Sequence, residues 1–308
     1  MTWKPLSQLV LMWWNTSLSP PTGRAKEIHA DREFAINFVR ELRTDYRFDV
    51  LGLCEVSSDD LEAIVQGLDD PYLDVIDSTD RQAQLKLDTA IIYDRRKLEK
   101  IDFSHCIDRY GNTCLKAGTV VRFFELSSGL QLHVVTSHWP GRQFAPEFSA
   151  KRAKLGAFLC QETRSLKQRA PNPYIVLMGD YNDDPFSESL ASHLLATRDR
   201  ELARSNGDYF YNPFWRCIGE SLPSPETGCE SSICGTHFYR GGTESRWFTF
   251  DQIMFSSPFL QSDGAAILDE RHSGIVVTPD LRERVLSRKS AFDHFPVLSM
   301  VTIGVNHE

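Results

Sequence analysis

The sequence predicts an α/β (α+β) fold in which two stacked β-sheets carry helices on their outer faces. Short apolar runs rich in β-branched and aromatic residues recur along the chain, and their length is typical of strands. Most runs are continuous rather than alternating, which indicates strands covered on both faces. They are too numerous for a single doubly wound sheet. The predicted strands are 9–14, 50–54, 90–93, 120–126, 130–136, 174–178, 248–255, 275–277 and 295–303.

Three helices are predicted between these strands. Residues 27–43 place Phe38 and Leu42 on one apolar stripe. Residues 58–68 begin at a Ser-Ser-Asp-Asp capping sequence, and 146–168 have a proline near their start, where helices tolerate it. The Gly-, Pro- and Ser-containing stretch 206–246 predicts an irregular surface insertion within one domain spanning 1–308.

Composition narrows the class of protein. The chain has 308 residues, of which 41% are apolar and 25% charged, as in ordinary globular proteins. Its net charge of −8 argues against bulk attraction to DNA, so any nucleic-acid contact must be local. The basic runs 151–154 and 282–289 are candidates, although a solvated helix face explains each more simply.

The seven cysteines are loosely spaced, and reduced thiols in a cytoplasmic protein are the expected state. Cys217, Cys229, Cys234 and His237 are zinc-ligand types, but their spacing matches no recognised zinc signature. The apolar run 9–14 is too short for a signal peptide, and no run has the length of a membrane span. No obligate protein partner is indicated.

The strongest local motif is Gly-Asp-Tyr-Asn-Asp-Asp at residues 179–184, directly after a predicted buried strand. Residues two apart in an extended backbone share a face, so Asp180 and Asn182 are expected to point the same way. Such a pair can orient a water molecule and hold a phosphate oxygen. The alternative interpretation is an Asx turn, in which the side chains bond to their own backbone.

Other polar residues also follow or interrupt apolar strands. A carboxylate buried in such a place is costly without a partner, and a bound cation is one such partner. Because the set offers oxygen ligands and few imidazoles, it favours Mg²⁺, with Mn²⁺ as a substitute, over zinc. A His and an Arg at a strand end also suit an anionic substrate. These residues are Asn15, Glu55, His138, Arg142, Asp251, Asp293 and His294.

The order of these residues resembles that of the endonuclease/exonuclease/phosphatase superfamily, with deoxyribonuclease-like and apurinic-endonuclease-like members. Trp-Pro-Gly-Arg after His138 is similar to bacterial nuclease-like members. The resemblance implies a four-layer αββα sandwich of two stacked mixed β-sheets flanked by helices, with the site at one rim.

The resemblance also implies a role for each residue. Asn15, Glu55 and Asp293 would hold Mg²⁺. The catalytic set would be His138, Asp180, Asn182, Asp251 and His294, in which Asp180 activates water and Asp251 orients His294. Trp139 and Arg142 are expected to bind the substrate. Many members carry a phosphate-contacting tyrosine, and Tyr93 and Tyr110 are both candidates for that position.

The resulting hypothesis is a Mg²⁺-dependent phosphodiesterase, foremost a nuclease that hydrolyses DNA or RNA by metal-assisted in-line attack of water. The alternative is the same chemistry on a small phosphoester or a phospholipid headgroup, which the negative net charge favours. A non-catalytic binding module is the least favoured interpretation, because each buried carboxylate would then need another reason to be present.

Overall fold

Two mixed β-sheets stack face to face in this computed structural model, which describes residues 2–19, 28–82, 85–110, 113–170, 172–219 and 234–307. The strands are β1 (Thr2–Asn15), β2 (Val50–Cys54), β3 (Leu73–Asp77), β4 (Asp80–Gln82), β5 (Leu85–Leu87), β6 (Thr89–Asp94), β7 (Leu98–Tyr110), β8 (Thr113–Glu125), β9 (Gln131–His138), β10 (Tyr174–Asp180), β11 (Ala196–Thr197), β12 (Phe210–Tyr211), β13 (His237–Phe238), β14 (Trp247–Phe248), β15 (Asp251–Ser256), β16 (Ala266–Ile275) and β17 (Val297–His307).

The α-helices are α1 (Ile28–Tyr46), α2 (Ser58–Leu68), α3 (Ala150–Arg169), α4 (Arg200–Ser205) and α5 (Pro279–Leu286). Short helical turns span Ser189–His193, Pro213–Cys217 and Ser257–Leu260. None of the helices in the described ranges is long and apolar enough to span a membrane.

The first sheet has the strand order β16-β17-β1-β2-β6-β3, and the second has the order β11-β12-β15-β10-β9-β8-β7. In the first sheet β1 and β2 are parallel, and in the second β9 and β10 are parallel. Most of the other pairings in both sheets are antiparallel, including those of β1 with β17 and of β10 with β15.

Three apolar clusters hold the layers together. The central cluster lies between the sheets and includes Trp13, Val134 and Met178. A second cluster packs helices α1, α2 and α5 on the first sheet, and a third packs α3 on the second sheet. Because each sheet is covered on both faces, the predicted four-layer sandwich is confirmed, and the continuous apolar runs are explained.

Several elements follow the sequence prediction closely. Strand β2 and helix α2 have the predicted bounds. The Ser57 hydroxyl accepts a hydrogen bond from the Asp60 backbone, and the Asp60 carboxylate accepts one from the Ser57 backbone. This capping box fixes the start of α2 directly after Glu55, which is one of the predicted site residues.

The predicted insertion at 206–246 is wrong over its first part. Phe210 and Tyr211 form β12 in the second sheet, and Phe214 is buried in the central cluster. The sequence prediction missed these residues because two-residue strands give no periodic signal. Residues 220–233 of the predicted insertion lie outside the described part of the chain.

Candidate active site at the rim of the two sheets

The carboxyl ends of the parallel strand pairs bring the predicted residues to one rim. Asn15 ends β1 and pairs with Cys54, the residue before Glu55. In the second sheet, Asp180 pairs with His138 on one side and with Asp251 on the other. Gly179 is required there, since an added Cβ would lie 2.3 Å from the Ser137 carbonyl oxygen.

His294 and Asp251 form one buried imidazole–carboxylate pair at this rim. The two side chains lie 2.7 Å apart, from Nδ1 to Oδ2, and Trp13 donates a hydrogen bond to the other Asp251 oxygen at 3.0 Å. Burial lowers the pKa of His294, but Asp251 and Asp180 outweigh it and raise that pKa well above its ordinary value. The Nε2 atom of the same ring lies 3.8 Å from Asp180 Oδ2.

His138 and Asp88 form a second pair on the other side of Asp180. Nδ1 of His138 lies 3.0 Å from Asp88 Oδ2, and its Nε2 lies 4.0 Å from Asp180 Oδ2. Burial lowers the pKa of His138, but the Asp88 charge and hydrogen bond raise it to about 9. Sequence reasoning missed Asp88, although its position directly before the apolar strand β6 was a usable signal.

Glu55 occupies the start of the loop after β2 in a left-handed backbone conformation, with φ of 52°. This conformation is uncommon for a non-glycine residue and is found most often where the surroundings enforce it. Here the Glu55 carbonyl accepts hydrogen bonds from the Thr16 hydroxyl at 2.8 Å and the Ser19 backbone at 2.7 Å. The strained turn aims the carboxylate at the rim, where its Oε1 lies 3.7 Å from His138 Nε2.

Asn15 differs from its predicted role as a metal ligand. Its Nδ2 donates hydrogen bonds to Glu55 at 3.1 Å and to Asp180 at 2.9 Å. The Ser17 backbone N–H donates to Oδ1, which fixes the orientation of the amide. Asn15 therefore presents its nitrogen to the site and holds the two carboxylates in place.

Asp293 faces the same space from the loop before β17. Its Oδ1 accepts a hydrogen bond from the Ser17 hydroxyl at 2.8 Å, and its Oδ2 lies 3.8 Å from His237 Nε2. The His237 ring packs against His294 at 4.4 Å between centroids. Burial and the neighbouring His294 charge lower the pKa of His237 to about 4, so this ring is neutral.

His237 was assigned from sequence to a possible zinc set with Cys217, Cys229 and Cys234. In the structure its metal-ligand neighbours are Asp293 and His294, with ligand atoms within 4.8 Å of one another. Cys229 lies outside the described residues. An isolated antiparallel β-bridge to His294 places His237 at the rim. This pairing is between residues far apart in the sequence, so no local pattern indicated it.

Asp180 and Asn182 combine both interpretations of their motif. Asp180 Oδ1 accepts a hydrogen bond from the Asn182 backbone at 2.8 Å, which is the Asx turn. Its Oδ2 remains directed at the two imidazoles. Asn182 has φ of 51° and donates from Nδ2 to the Trp139 carbonyl at 3.0 Å, so its side chain is fixed beside the rim.

The prediction that Trp139 binds the substrate is wrong. Its side chain is fully buried, packs edge-on against Tyr181 and donates to the Ala117 carbonyl at 3.0 Å. Arg142 is partly exposed, and its guanidinium lies 3.1 Å from Asp184 and 3.2 Å from Glu147. A substrate contact by Arg142 stays a prediction.

Tyr93 is excluded as the phosphate-contacting tyrosine. It pairs with Val50, at the opposite end of β2 from Glu55, and its hydroxyl donates to Asp74 at 2.9 Å. The side chain of Tyr110, the second candidate, lies outside the described part.

The carboxylates at the rim fit a divalent cation. Glu55 and Asp293 are 27% and 37% exposed, so both are open to solvent ions. The pKa of Glu55 is raised above its ordinary value. Burial is the main cause, and the negative charge of Asp293 adds to it, while His138 acts in the opposite direction. A cation between these carboxylates would remove their repulsion, and oxygen donors of this kind suit Mg²⁺ or Mn²⁺.

Arg152 corrects the interpretation of the basic run 151–154 as a solvated or nucleic-acid-binding face. This residue is 1% exposed. Its guanidinium lies 3.2 Å from Asp183 and donates to the carbonyls of Pro140, Ala145 and Tyr181. It therefore fixes the loop after His138 against the loop after Asp180.

We expect Arg152→Met to destabilise the protein by about 3–5 kcal/mol, because it removes the nearer of two arginine partners from the buried Asp183 carboxylate and leaves only Arg142, at 3.9 Å. Urea denaturation followed by circular dichroism measures the free energy of unfolding. Lys151→Met, on the same helix, is the control and should change stability by less than about 0.5 kcal/mol. A loss below 1 kcal/mol in Arg152→Met would contradict the structural role given to this side chain.

Two stacked sheets thus gather carboxylates and imidazoles at one rim. A family model described as the endonuclease/exonuclease/phosphatase family matches residues 29–291. The chain therefore belongs to this family, as its motifs predicted. Members are in general dependent on divalent metal ions, in keeping with the acidic and histidine groups at the rim.

Solved structures similar to this chain have varied titles. The human Nocturnin catalytic domain with bound sulfate is 17% identical, with a TM-score of 0.60, and the match covers 98% of this chain and 97% of that one. A Bacteroides thetaiotaomicron mannosyl-6-phosphatase is 17% identical (TM-score 0.59; 95% and 99% covered). D. rerio TDP2 with a single-strand DNA product is 16% identical (0.59; 96% and 99%). At such identities the likeness shows the fold alone, and no curated protein matches.

Proposed function

We propose that this chain is a Mg²⁺-dependent phosphodiesterase that hydrolyses DNA or RNA. The observation that carries the proposal is the convergence of two imidazole–carboxylate pairs on Asp180 Oδ2, at 3.8 Å from His294 and 4.0 Å from His138. Two imidazolium rings beside open carboxylates suit a phosphate whose charge rises during reaction. Solved relatives by fold include one with a DNA product and one sugar phosphatase, so the fold accommodates both substrate classes.

The proposed chemistry assigns one task to each group. Water attacks the phosphorus in line with the leaving oxygen, and its proton passes to Asp180. The departing alkoxide takes a proton from Nε2 of the His294 imidazolium, which Asp251 holds in place. His138 donates to a non-bridging oxygen. When bound by Glu55 and Asp293, Mg²⁺ supplies charge neutralisation at the phosphate.

We expect hydrolysis of single- or double-stranded DNA or of RNA in the presence of Mg²⁺ or Mn²⁺ to stop on addition of excess EDTA and to return with added metal. Gel electrophoresis of end-labelled substrates measures the cleavage. His294→Ala, prepared identically, controls for contaminating nucleases. The nuclease proposal fails if no nucleic acid is cut over hours while a small phosphodiester is turned over.

The second candidate, hydrolysis of a small phosphoester, is supported by the charge around the site. The net charge is −8, and the Glu147 and Asp184 carboxylates lie beside Arg142, so long polyanions gain little general attraction. Turnover of small phosphodiesters that added DNA does not inhibit would favour this candidate. Inhibition by DNA at micromolar concentration would favour the nuclease.

A further inference from the structure

A cavity of about 920 Å³ adjoins the rim and is not used by the proposed chemistry. Asn182 and His237 line it, so it opens directly beside the catalytic groups. Its volume is typical of pockets that enclose a drug-sized group. If a phosphate is bound at the rim, a group esterified to it can therefore extend into this cavity.

The charge of the lining disfavours a second phosphate. Glu147, Asp184 and Glu244 contribute carboxylates. Among the lining residues that the structure describes, Arg142 is the one arginine or lysine, and Glu147 and Asp184 already pair with it. The cavity therefore suits an uncharged group.

Aromatic rings provide much of the apolar lining. Phe186 and Tyr239 line the cavity and are 52% and 55% exposed, so part of each ring is accessible from it. Trp247 and Phe248 line the same space. Rings stack best on other planar rings, and each stacked base typically strengthens binding by about a factor of ten.

We propose that this cavity is a subsite for one uncharged aromatic ring, such as the base of a nucleoside, carried by the phosphoester substrate. This proposal depends on the proposed function in one respect: the aromatic ring is taken to be part of a phosphoester substrate. Phe186 and Tyr239 stack on the ring, and the carboxylates of the lining turn further phosphates away from the cavity.

The test is a calorimetric titration with adenosine, which is uncharged and cannot be hydrolysed. We expect saturable binding to the wild-type chain, weakened about tenfold in Phe186→Leu and in Tyr239→Leu, because leucine keeps apolar volume and removes the ring. Tyr239→Phe keeps the ring and should bind as the wild type does. Phe103→Leu, at a 41% exposed ring on the edge strand β7, is the matched control.

Absence of saturable adenosine binding, or equal affinity in Phe186→Leu and the wild type, would overturn the subsite. Methyl β-glucoside should bind at least tenfold more weakly than adenosine, and equal binding would also overturn the choice of an aromatic ring. Failure of the phosphodiesterase proposal would look different, because adenosine would then bind while no ester is hydrolysed. Metal-dependent hydrolysis without adenosine binding would sink the subsite alone.

A second titration identifies the source of the ring. Adenosine monophosphate is compared with a ten-nucleotide single strand ending in adenosine, each displacing adenosine from the wild-type chain. Equal affinity supports a short phosphoester as the carrier of the ring, since further phosphates then add nothing. Tighter binding of the strand supports the terminal nucleoside of a nucleic acid.

Discussion

Asp180→Asn is expected to lower kcat/KM for phosphodiester hydrolysis by about three orders of magnitude. The carboxylate accepts hydrogen bonds from Asn15 and from the Asn182 backbone, so its position is fixed, and its Oδ2 lies between the Nε2 atoms of His138 and His294. An amide has the same size but cannot take a proton from water. Steady-state kinetics with saturating Mg²⁺ on whichever substrate the panel identifies measures the loss.

Asp208→Asn is the matched control for this substitution. Asp208 is 52% exposed and pairs with Arg164 near the carboxyl end of α3, away from the rim. The kcat/KM of the Asp208→Asn variant should therefore stay within twofold of the wild-type value. Both variants should have intact secondary structure by circular dichroism. If Asp180→Asn keeps more than a tenth of the wild-type kcat/KM, another group must accept the proton.

The sequence was informative wherever a buried strand ends in a polar residue. Continuous apolar runs located β2, β6 and β10 within a residue or two, and the polar residues after β2 and β10 are those now found at the rim. This works because burial on both faces demands apolar side chains, so a polar residue stands out at the point where burial ends.

Elements stabilised by distant partners were less visible. Strand β7 spans Leu98–Tyr110 but carries many charged residues, because it lies at the edge of its sheet, where most of its side chains are exposed. Asp88 and His237 joined the site through contacts with His138 and His294, which are far away in sequence. Local patterns do not encode such partners.

Side chains that are both polar and bulky were the other source of error. Trp139 was expected to bind the substrate, yet its ring is buried in the apolar cluster between the second sheet and α3. Arg152 lies in a basic run but is buried against four polar partners. Residue type alone predicts neither outcome, because long side chains are buried or exposed according to what surrounds them.

Glu55→Gln is expected to weaken Mg²⁺ binding about a hundredfold and to reduce hydrolysis accordingly. Glutamine keeps the volume and one oxygen but removes the charge that, with Asp293, draws a cation to the rim. Binding of Mg²⁺ to the wild type stabilises the folded state by about 2.7 kcal/mol at a concentration 100 times Kd. At that same concentration the variant should gain less than about 0.5 kcal/mol. Thermal unfolding with and without MgCl₂ measures both values.

The stability of the metal-free protein separates this loss from misfolding. Because burial raises the pKa of Glu55, a charged carboxylate at this position is disfavoured without a cation, and a neutral amide should leave the metal-free melting temperature close to wild type. Glu62→Gln, on the exposed face of α2, should keep the full Mg²⁺ response. An undiminished Mg²⁺ response in Glu55→Gln would move the metal away from Glu55, leaving the group formed by His237, Asp293 and His294 as the place to test next.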